Sequence, residues 1–346
     1  MGGTPLFNLN FIKMKVFIKA ISYYLPENVV TNEDLVKEFP EWTVEKISKK
    51  IGILERRVAS LNETASDLAV NAANKLFDEE KIEKDKIDYL IFCTQTPDFI
   101  LPTTACVIQD RLGLKTSVGA IDVNLGCSGW LYGLSLAKGL IMGEMASNVL
   151  LLTSETYSKH IHPRDKGNRT IFGDGSAATI VSKEGIAEIG NFSFGTDGKG
   201  ADNLIVKTGA ARSKEKLNDL VFDDFGNPKS SDNLYMNGSE ILNFTLDIMP
   251  NLAIDTLQKN NLSKEDIDLH VYHQPNKYIA SLQQKKLRIP EEKYYCHFEY
   301  TGNTVSSTIP IAIKEAIKGG ELKNGSKVLS IAQGLGYSWA GVVLYF

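Results

Sequence analysis

Short apolar segments alternate with longer segments of helical periodicity along most of the chain. Residues 87–92 (IDYLIF) have the length and composition of a buried strand. Residues 68–76 place an apolar side chain at every fourth position after the pair Ser66-Asp67, which predicts an amphipathic helix with a polar cap. Strands that alternate with helices in this way are typical of βαβ units. We therefore predict an α/β fold with a mostly parallel sheet.

The order of these segments occurs twice. Three pairs of similar segments lie between 176 and 180 residues apart: residues 87–92 and 267–272, the turns at 126–128 and 302–304, and residues 149–152 and 328–331. Three pairs in the same order favour two copies of one unit. We predict an N-terminal half at residues 14–183 and a C-terminal half at residues 184–346.

Residues 1–13 stand apart from this pattern. They precede a second methionine, Met14, which opens a cleaner strand pattern. A signal peptide would have a charged start, a longer apolar stretch and a small-residue cleavage site. We interpret the segment as a leader from an upstream start or as an expression remnant.

The length and the charge balance narrow the classes of function. The chain has 346 residues, with 38 lysines and arginines against 42 aspartates and glutamates, and a formal net charge of −4. This balance excludes the bulk basic surface of nucleic-acid binders, and no apolar run approaches the roughly 20 residues of a membrane helix. Four cysteines without a CxxC pair argue against a disulfide framework or a zinc site. Free thiols point to a reducing compartment, so we expect a cytoplasmic protein. From the charge balance, the short apolar runs and the cysteine spacing we expect no nucleic-acid, membrane or metal partner.

Cys127 stands at the turn Asn124-Leu125-Gly126, between a predicted strand and a predicted helix that is apolar on most faces. Such a helix is buried, and its N-terminus carries partial positive charge that favours thiolate over thiol. Gly126 and Gly129 let the backbone bend and a ligand approach closely. Cys127 is therefore a candidate nucleophile, although a free cysteine is also a common core residue.

Two further polar residues lie at the ends of predicted elements in the second copy. His273 follows an alternating strand, at the carboxyl end where open α/β sheets collect their chemistry, although a structural histidine is as common there. His270 faces the other side of that strand, which argues against a metal pair. Asn303 takes the place that Cys127 has in the first copy, and alone it would be a helix cap. If the two helix starts meet, Cys127, His273 and Asn303 converge.

The chain carries four motifs in order: Asn124-Leu125-Gly126-Cys127-Ser128-Gly129, Phe172-Gly173-Asp174-Gly175, His273-Gln274-Pro275-Asn276 and Gly302-Asn303-Thr304. Together they resemble the motifs of ketoacyl-acyl-carrier-protein synthase III, a family of condensing enzymes. The resemblance covers residues 14–346. It implies a thiolase-like, five-layered αβαβα fold built from two similar halves, and a homodimer.

The resemblance also implies a role for each motif. Cys127 resembles the nucleophile that accepts the acyl group from an acyl-coenzyme A or acyl-carrier primer. His273 and Asn303 resemble the pair that binds the carbonyl of a malonyl-carrier thioester, whose decarboxylation leaves an enolate. The backbone N–H groups of Cys127 and Leu335 would hold the tetrahedral oxyanion. The family reaction uses these two substrates and no cofactor held by the protein.

The residues that would bind the primer depart in part from the family pattern. Trp42 matches a tryptophan that stacks on the adenine of coenzyme A, but the opposing arginine is replaced by Lys166, which lacks a planar stacking surface. Gly238 and Asn276 are further expected substrate contacts. Leu101, before Pro102, replaces the more usual phenylalanine that walls the acyl pocket across the dimer.

The expected docking site for the acyl carrier also departs from the pattern. The arginine that usually follows the histidine motif is replaced by Tyr278. Lys277, Lys285 and Lys286 keep a basic face that suits an acidic carrier, although a run of charges is more often only solvated.

Three interpretations of function remain open from the sequence. The first is decarboxylative condensation of an acyl thioester with a malonyl-carrier thioester, in fatty-acid or related biosynthesis. The second is a specialised relative that passes the acyl group from Cys127 to another acceptor, such as an amine or hydroxyl, in secondary metabolism. The third is a non-catalytic subunit. The intact Cys127, His273 and Asn303 set favours the first, and the changes at Lys166 and Tyr278 favour the second.

Overall fold

The computed structural model describes residues 14–224 and 226–346, so the interpretation of residues 1–13 falls outside the described part of the chain. The strands are β1 (Phe17–Tyr24), β2 (Val29–Thr31), β3 (Glu55–Arg57), β4 (Tyr89–Cys93), β5 (Gly119–Val123), β6 (Asn148–Glu155), β7 (Gly175–Ser182), β8 (Ala187–Thr196), β9 (Leu204–Ile205), β10 (Val221–Phe222), β11 (Pro228–Lys229), β12 (Tyr235–Met236), β13 (Leu269–Tyr272), β14 (Lys327–Gly334) and β15 (Ser338–Tyr345). The helices are α1 (Asn32–Glu38), α2 (Val44–Ile51), α3 (Ala65–Glu80), α4 (Thr104–Leu112), α5 (Gly129–Met142), α6 (Lys166–Arg169), α7 (Gly238–Lys259), α8 (Lys277–Leu287) and α9 (Thr308–Gly319).

The central sheet contains the same strand arrangement twice. Its order is β13-β14-β15-β8-β1-β7-β6-β4-β5. Strands β4, β5 and β6 run parallel and are followed by antiparallel β7 and β1; likewise β13 and β14 run parallel and are followed by antiparallel β15 and β8. The two sets join where β1 pairs with β8. The α/β fold is confirmed. The expectation of a mostly parallel sheet is wrong, because three strand pairings of this sheet are parallel and five are antiparallel.

The helices and the two sets of strands form five layers. Helices α3 and α4 cover the outer face of the first set of strands, and α7 covers the outer face of the second. Helices α5 and α9 lie between the two sets and share one apolar core with strands from both. The apolar character of α5 on most faces follows from this central position, because most of its side chains pack between the two sets of strands; Leu136 and Met142 are exposed in the single chain.

Two local expectations differ from the structure. Helix α3 begins at Ala65 with Thr64 as its N-cap, and Asp67 closes a capping box with Thr64, so Ser66 lies inside the first turn and not at the cap. Residues 294–298 (YYCHF) have a strand-like composition but form no strand in the structure. They keep a single parallel bridge between Tyr294 and His270, at the position that β5 occupies beside β4 in the first half.

The division at residues 183 and 184 stays a prediction; β7 ends at Ser182 and β8 begins at Ala187. Within the described residues, no helix combines the length and the apolar character needed to cross a membrane.

Candidate active site

A cavity of about 200 Å³ lies where the two halves meet, and its lining is mainly apolar. Cys127, His273 and Asn303 all line it, together with Leu335. Each comes from the end of a different element: Cys127 from the loop between β5 and α5, His273 from the end of β13, and Asn303 from the loop before α9. The predicted convergence of the three side chains therefore occurs in one cavity, while their roles stay predictions.

Cys127 is held against the start of α5. Ser128 caps this helix, and a Cβ atom at Gly129 would lie 2.3 Å from the sulfur of Cys93, so only glycine fits there. Burial raises the pKa of the Cys127 thiol to about 12. Burial also raises the pKa of the nearby Glu155 carboxyl well above its usual range. In the resting protein the thiol form is therefore favoured, which is opposite to the expectation from the helix start alone.

His273 is fixed by both its backbone and its ring. Its N–H donates to the Ile331 carbonyl at 2.8 Å, which continues the pairing of β13 with β14. Its Nδ1 lies 2.8 Å from Oγ1 of Thr308, and Nε2 is on the other side of the ring. Burial lowers the pKa of His273 to about 3, so the imidazole is neutral near pH 7.

Asn303 lies in a loop that is paired with the Phe172-Gly173-Asp174-Gly175 motif. The Asn303 N–H donates to the Ile171 carbonyl, and the Gly173 N–H donates to the Asn303 carbonyl. A Cβ atom at Gly173 would lie 2.1 Å from the Thr301 carbonyl oxygen, which explains the glycine. Asn303 is not a helix cap as its sequence position suggested, because a 3-10 helix, Val305–Ser307, precedes α9.

The end of β14 packs against the turn that carries Cys127. A Cβ atom at Gly334 would lie 3.2 Å from the Ser128 nitrogen, and the Ser128 and Ser338 hydroxyls are 2.7 Å apart. Leu335 follows directly and lines the cavity. The assignment of the Leu335 and Cys127 N–H groups as an oxyanion hole is compatible with this placement and stays a prediction.

The predicted substrate contacts divide into two groups. Gly238, at the start of α7, and Asn276, which caps α8, line the cavity. Trp42, Lys166 and Leu101 do not line it in the described part of the single chain. Trp42 packs against the cluster that α1 and α2 share with α8, and the Lys166 ammonium pairs with Glu41 at 2.6 Å, beside Trp42.

The three lysines expected to dock a carrier are exposed on α8. Tyr278 is also half-exposed and lines the cavity, so the basic face begins at the cavity mouth. Helix α2, which carries its own exposed lysines, packs against α8. A Cβ atom at Gly52, at the end of α2, would lie 2.3 Å from Cβ of Lys277.

Several residues of the cavity were not found from the sequence. Ile241 and Leu242 lie on α7 and line the cavity, although their sequence pattern is that of an ordinary apolar helix face. Gln283 and Gln333 also line it, and the amide nitrogen of each is buried and has no hydrogen-bond partner among the described residues. Burying an amide N–H group without a hydrogen-bond partner costs free energy. Nothing in the local sequence indicates that these two glutamines line a cavity.

The arrangement combines a buried thiol with neutral hydrogen-bond donors in an apolar cavity. A neutral imidazole and a carboxamide can both donate to one carbonyl oxygen, and such donors act more strongly where water is excluded. The described residues contain no group of three or more side chains that could hold a metal ion. The chemistry that suits this set is acyl transfer to the thiol and stabilisation of an enolate.

Known proteins are similar to this chain in sequence. Residues 121–198 match the family model 3-oxoacyl-[acyl-carrier-protein] synthase III, and residues 257–346 match the model for its C-terminal part. A beta-ketoacyl-[acyl-carrier-protein] synthase III of Clostridium perfringens is 37% identical over 322 residues, which cover 93% of this chain and 96% of the relative.

Solved structures are similar over nearly the whole chain. A 3-oxoacyl-(acyl-carrier-protein) synthase III has a TM-score of 0.93 at 47% identity, covering 96% of this chain and 100% of that one. The priming beta-ketosynthase of the R1128 polyketide biosynthetic pathway has a TM-score of 0.83 at 26% identity, covering 96% and 97%.

Proposed function

Because this chain belongs to the 3-oxoacyl-[acyl-carrier-protein] synthase III family of condensing enzymes, we propose that it joins an acyl group to a malonyl-carrier thioester in fatty-acid or related biosynthesis. The observation that carries the proposal is the placement of Cys127, His273 and Asn303 around one cavity. The Cys127 thiol would accept the acyl group, and the neutral donors His273 and Asn303 would stabilise the enolate formed by decarboxylation.

The first step transfers the acyl group to Cys127. The sulfur attacks the thioester carbonyl, the bond from that carbonyl to the carrier sulfur breaks, and the thiol proton leaves with the departing thiol. The start of α5 stabilises negative charge on sulfur as it develops, although burial favours the thiol at rest. The N–H groups of Cys127 and Leu335 would hold the oxyanion of the tetrahedral intermediate.

The second step is decarboxylative condensation. The malonyl carboxylate leaves as carbon dioxide, and its electron pair passes to the remaining two-carbon unit as an enolate. His273 and Asn303 would donate hydrogen bonds to the enolate oxygen. The enolate carbon attacks the acyl-Cys127 carbonyl, the carbon–sulfur bond breaks, and the Cys127 sulfur recovers a proton. The product is a 3-oxoacyl-carrier thioester, and the reaction draws on no cofactor held by the protein.

A second candidate function keeps the acyl-Cys127 step and uses a different acceptor in secondary metabolism. The changes at Lys166 and Tyr278 and the similarity to a polyketide priming ketosynthase favour it. The retained His273 and Asn303 pair favours condensation, because transfer to an amine or hydroxyl has no enolate to stabilise.

The basic face at the cavity mouth supports an acidic acyl carrier protein as the partner. Lys277, Lys285 and Lys286 on α8 adjoin α2, whose Lys46 and Lys49 are exposed. Such a face attracts a carrier despite the net charge of −4. The primer would arrive on coenzyme A, held through Trp42 and Lys166, or on a carrier.

A homodimer is the proposed assembly. Strand β5 is the last strand of the sheet, and Asp122 on it accepts hydrogen bonds from the Thr104 and Ala105 N–H groups. The loop before Thr104 exposes Ile100 by 84% and Leu101 by 83%. An open strand edge beside an exposed apolar loop favours pairing with a second molecule of this chain. In that dimer, Leu101 of each subunit would wall the cavity of the other.

A cytoplasmic location is the remaining part of the proposal. The four cysteines are free in the structure, which suits a reducing compartment.

Intact-protein mass spectrometry tests the proposal. The protein is incubated with a panel of acyl-coenzyme A thioesters and acyl carriers, and malonyl-acyl carrier protein is then added. We expect a mass gain on Cys127 that disappears as carbon dioxide is released. The Cys127→Ala variant should show no gain, whereas Cys106→Ala, which removes an exposed cysteine of α4, should behave as the wild type. A gain that persists after malonyl-carrier addition would favour the second candidate function.

A further inference from the structure

Thr308, the first residue of α9, is placed to control the protonation of His273. Its side chain is buried, and its Oγ1 lies 2.8 Å from Nδ1 of His273 and 3.2 Å from the Val305 carbonyl oxygen. The hydroxyl thus stands between a ring nitrogen and a backbone acceptor. It lies on the side of the imidazole turned away from Nε2.

A hydroxyl has one proton, so it can donate to only one of these two neighbours. If it donates to Val305, the Nδ1 atom of His273 carries the proton and Nε2 is an acceptor. If it donates to Nδ1, the ring proton is on Nε2, which then becomes a donor. The tautomer of a neutral histidine is set by the partner of its other nitrogen in this way.

We propose that Thr308 is a positioning residue that donates to Nδ1 and so keeps His273 as an Nε2–H donor. The 3.2 Å distance to the Val305 carbonyl oxygen is longer than is usual for an O–H···O hydrogen bond, which favours donation of the hydroxyl proton to Nδ1 at 2.8 Å. The inference rests on the proposed function, because only decarboxylation of a malonyl thioester needs a donor at Nε2. An acceptor at that atom would repel the enolate oxygen.

The same turn orients the second donor. The Val305 N–H donates to Oδ1 of Asn303 at 2.9 Å, so the Asn303 amide nitrogen, its donor, is left for a ligand. Val305 adopts a φ of 56°, a strained backbone conformation that a β-branched residue rarely adopts. Residues 303–308 therefore fix the hydrogen-bond direction of both donors, and the strained Val305 links them.

Nuclear magnetic resonance of the wild type tests the tautomer without any substrate. The chain has five histidines, so selective ¹⁵N-histidine labelling gives few ring signals, and a His273→Gln variant assigns those of His273. We expect a neutral ring with the proton on Nε2. The Thr308→Ser variant should keep this state, and Thr308→Val should shift the ring toward Nδ1–H or a mixture. A wild-type ring with its proton on Nδ1 would overturn the proposal.

Kinetics of the two steps provide the second readout. Thr308→Val should lower malonyl decarboxylation about 10- to 100-fold, less than the roughly 10²–10³ lost with a whole oxyanion donor. It should leave acylation of Cys127 within about twofold, and Thr308→Ser should restore decarboxylation. Thr256→Val is the matched control, because Thr256 is a buried helical threonine bonded to its own helix at Leu252, and it should change neither step.

The possible failures are distinguishable. Equal losses of both steps in Thr308→Val, or no rescue by serine, would show a structural role only and overturn the proposal. If the wild type does not acylate Cys127 at all, the proposed function fails, while the ring tautomer still reports on Thr308.

Discussion

Cys127 shows how two neighbouring physical effects act on one thiol in opposite directions. The positive end of α5 favours the thiolate, but burial of the sulfur in an apolar cavity favours the thiol and raises its pKa to about 12. A resting thiol that ionises only as substrate arrives is protected from side reactions, since the thiolate is the species that alkylating agents and oxidants attack.

This balance predicts the pH dependence of alkylation. Because the folded-state pKa is raised, the thiolate fraction of Cys127 increases about tenfold per pH unit from pH 7 to 10 without a plateau. The rate of iodoacetamide modification at Cys127, followed by peptide mass spectrometry, should rise in parallel. Glutathione under the same conditions is the control and should level off near its own pKa of about 8.5–9. A plateau for Cys127 below pH 8 would show that the helix start dominates.

Some residues of the candidate active site carry a recognisable local sequence pattern and others do not. Cys127, His273 and Asn303 were recognisable because each follows or precedes a clear element and belongs to a motif. Thr308, Gln283 and Gln333 gave no such signal, because their roles depend on neighbours that are distant in sequence; Thr308, for example, follows His273 by 35 positions. A side chain's partner across the fold is not encoded in its local pattern.

At the scale of elements, the Phe172-Gly173-Asp174-Gly175 motif acts as a rigid support for the Asn303 loop. Asp174 is buried and accepts hydrogen bonds from the N–H groups of Ala59 and Ser158. Phe172 forms a parallel bridge with Asn303. The motif therefore joins the segments of Ala59, Ser158 and Asn303 behind the cavity. Its glycines are explained by close packing and not by phosphate binding.

Gly173→Ala tests this support. The new Cβ atom would lie 2.1 Å from the Thr301 carbonyl oxygen, so the Asn303 loop must move, at a cost of about 1–3 kcal/mol. We expect a lower thermal midpoint in calorimetry and a loss of condensation that exceeds the loss of Cys127 acylation. Gly139→Ala is the control: a Cβ atom there meets nothing within 4 Å, and alanine in the α5 interior should stabilise the helix by about 0.5–1 kcal/mol. A Gly173→Ala variant as stable as wild type would contradict the close approach.

The basic helix α8 gives a second prediction at this scale. Reversing the charge at Lys285 and Lys286 together should raise the KM for malonyl-acyl carrier protein about tenfold or more at low salt, because these exposed charges steer an acidic partner. Acylation of Cys127 by an acyl-coenzyme A should stay unchanged, since that measurement needs no carrier. Reversal of Lys318, which is exposed on α9, is the matched control. Equal KM values for all three proteins would remove α8 from the docking surface.

The strands of the sheet could be predicted from the sequence better than the pairing between strands. The repeat at offsets of 176 to 180 residues anticipated the paired strands β4 and β13, β6 and β14, because buried parallel strands are short apolar runs that survive as patterns. Residues 294–298 have the apolar and aromatic composition of a strand, yet they form only one bridge, between Tyr294 and His270. Strand formation depends on a neighbouring backbone as well as on an apolar sequence.

At the scale of the whole molecule, the five layers bring the two central helices α5 and α9 together, and with them the loops that carry Cys127 and Asn303. The edge of the sheet at β5, in the first set of strands, is left open. The exposed loop of Phe99, Ile100 and Leu101 is anchored beside this edge through Asp122. The position of this exposed apolar loop beside an open strand edge fits the homodimer proposed above.

Multi-angle light scattering on the purified protein tests this assembly. We expect a mass of twice the 38.2 kDa of one chain at micromolar concentration. Ile100→Asp should weaken the dimer, because it places a carboxylate on the proposed interface at a cost of a few kcal/mol. Ile254→Asp is the matched control, since Ile254 is 51% exposed on the outer helix α7, and it should leave the mass unchanged. If Leu101 closes the neighbouring cavity, the Ile100→Asp monomer should also acylate Cys127 with a higher KM for the acyl thioester. A wild-type monomer, or a dimer indifferent to Ile100→Asp, would assign the open β5 edge to another partner.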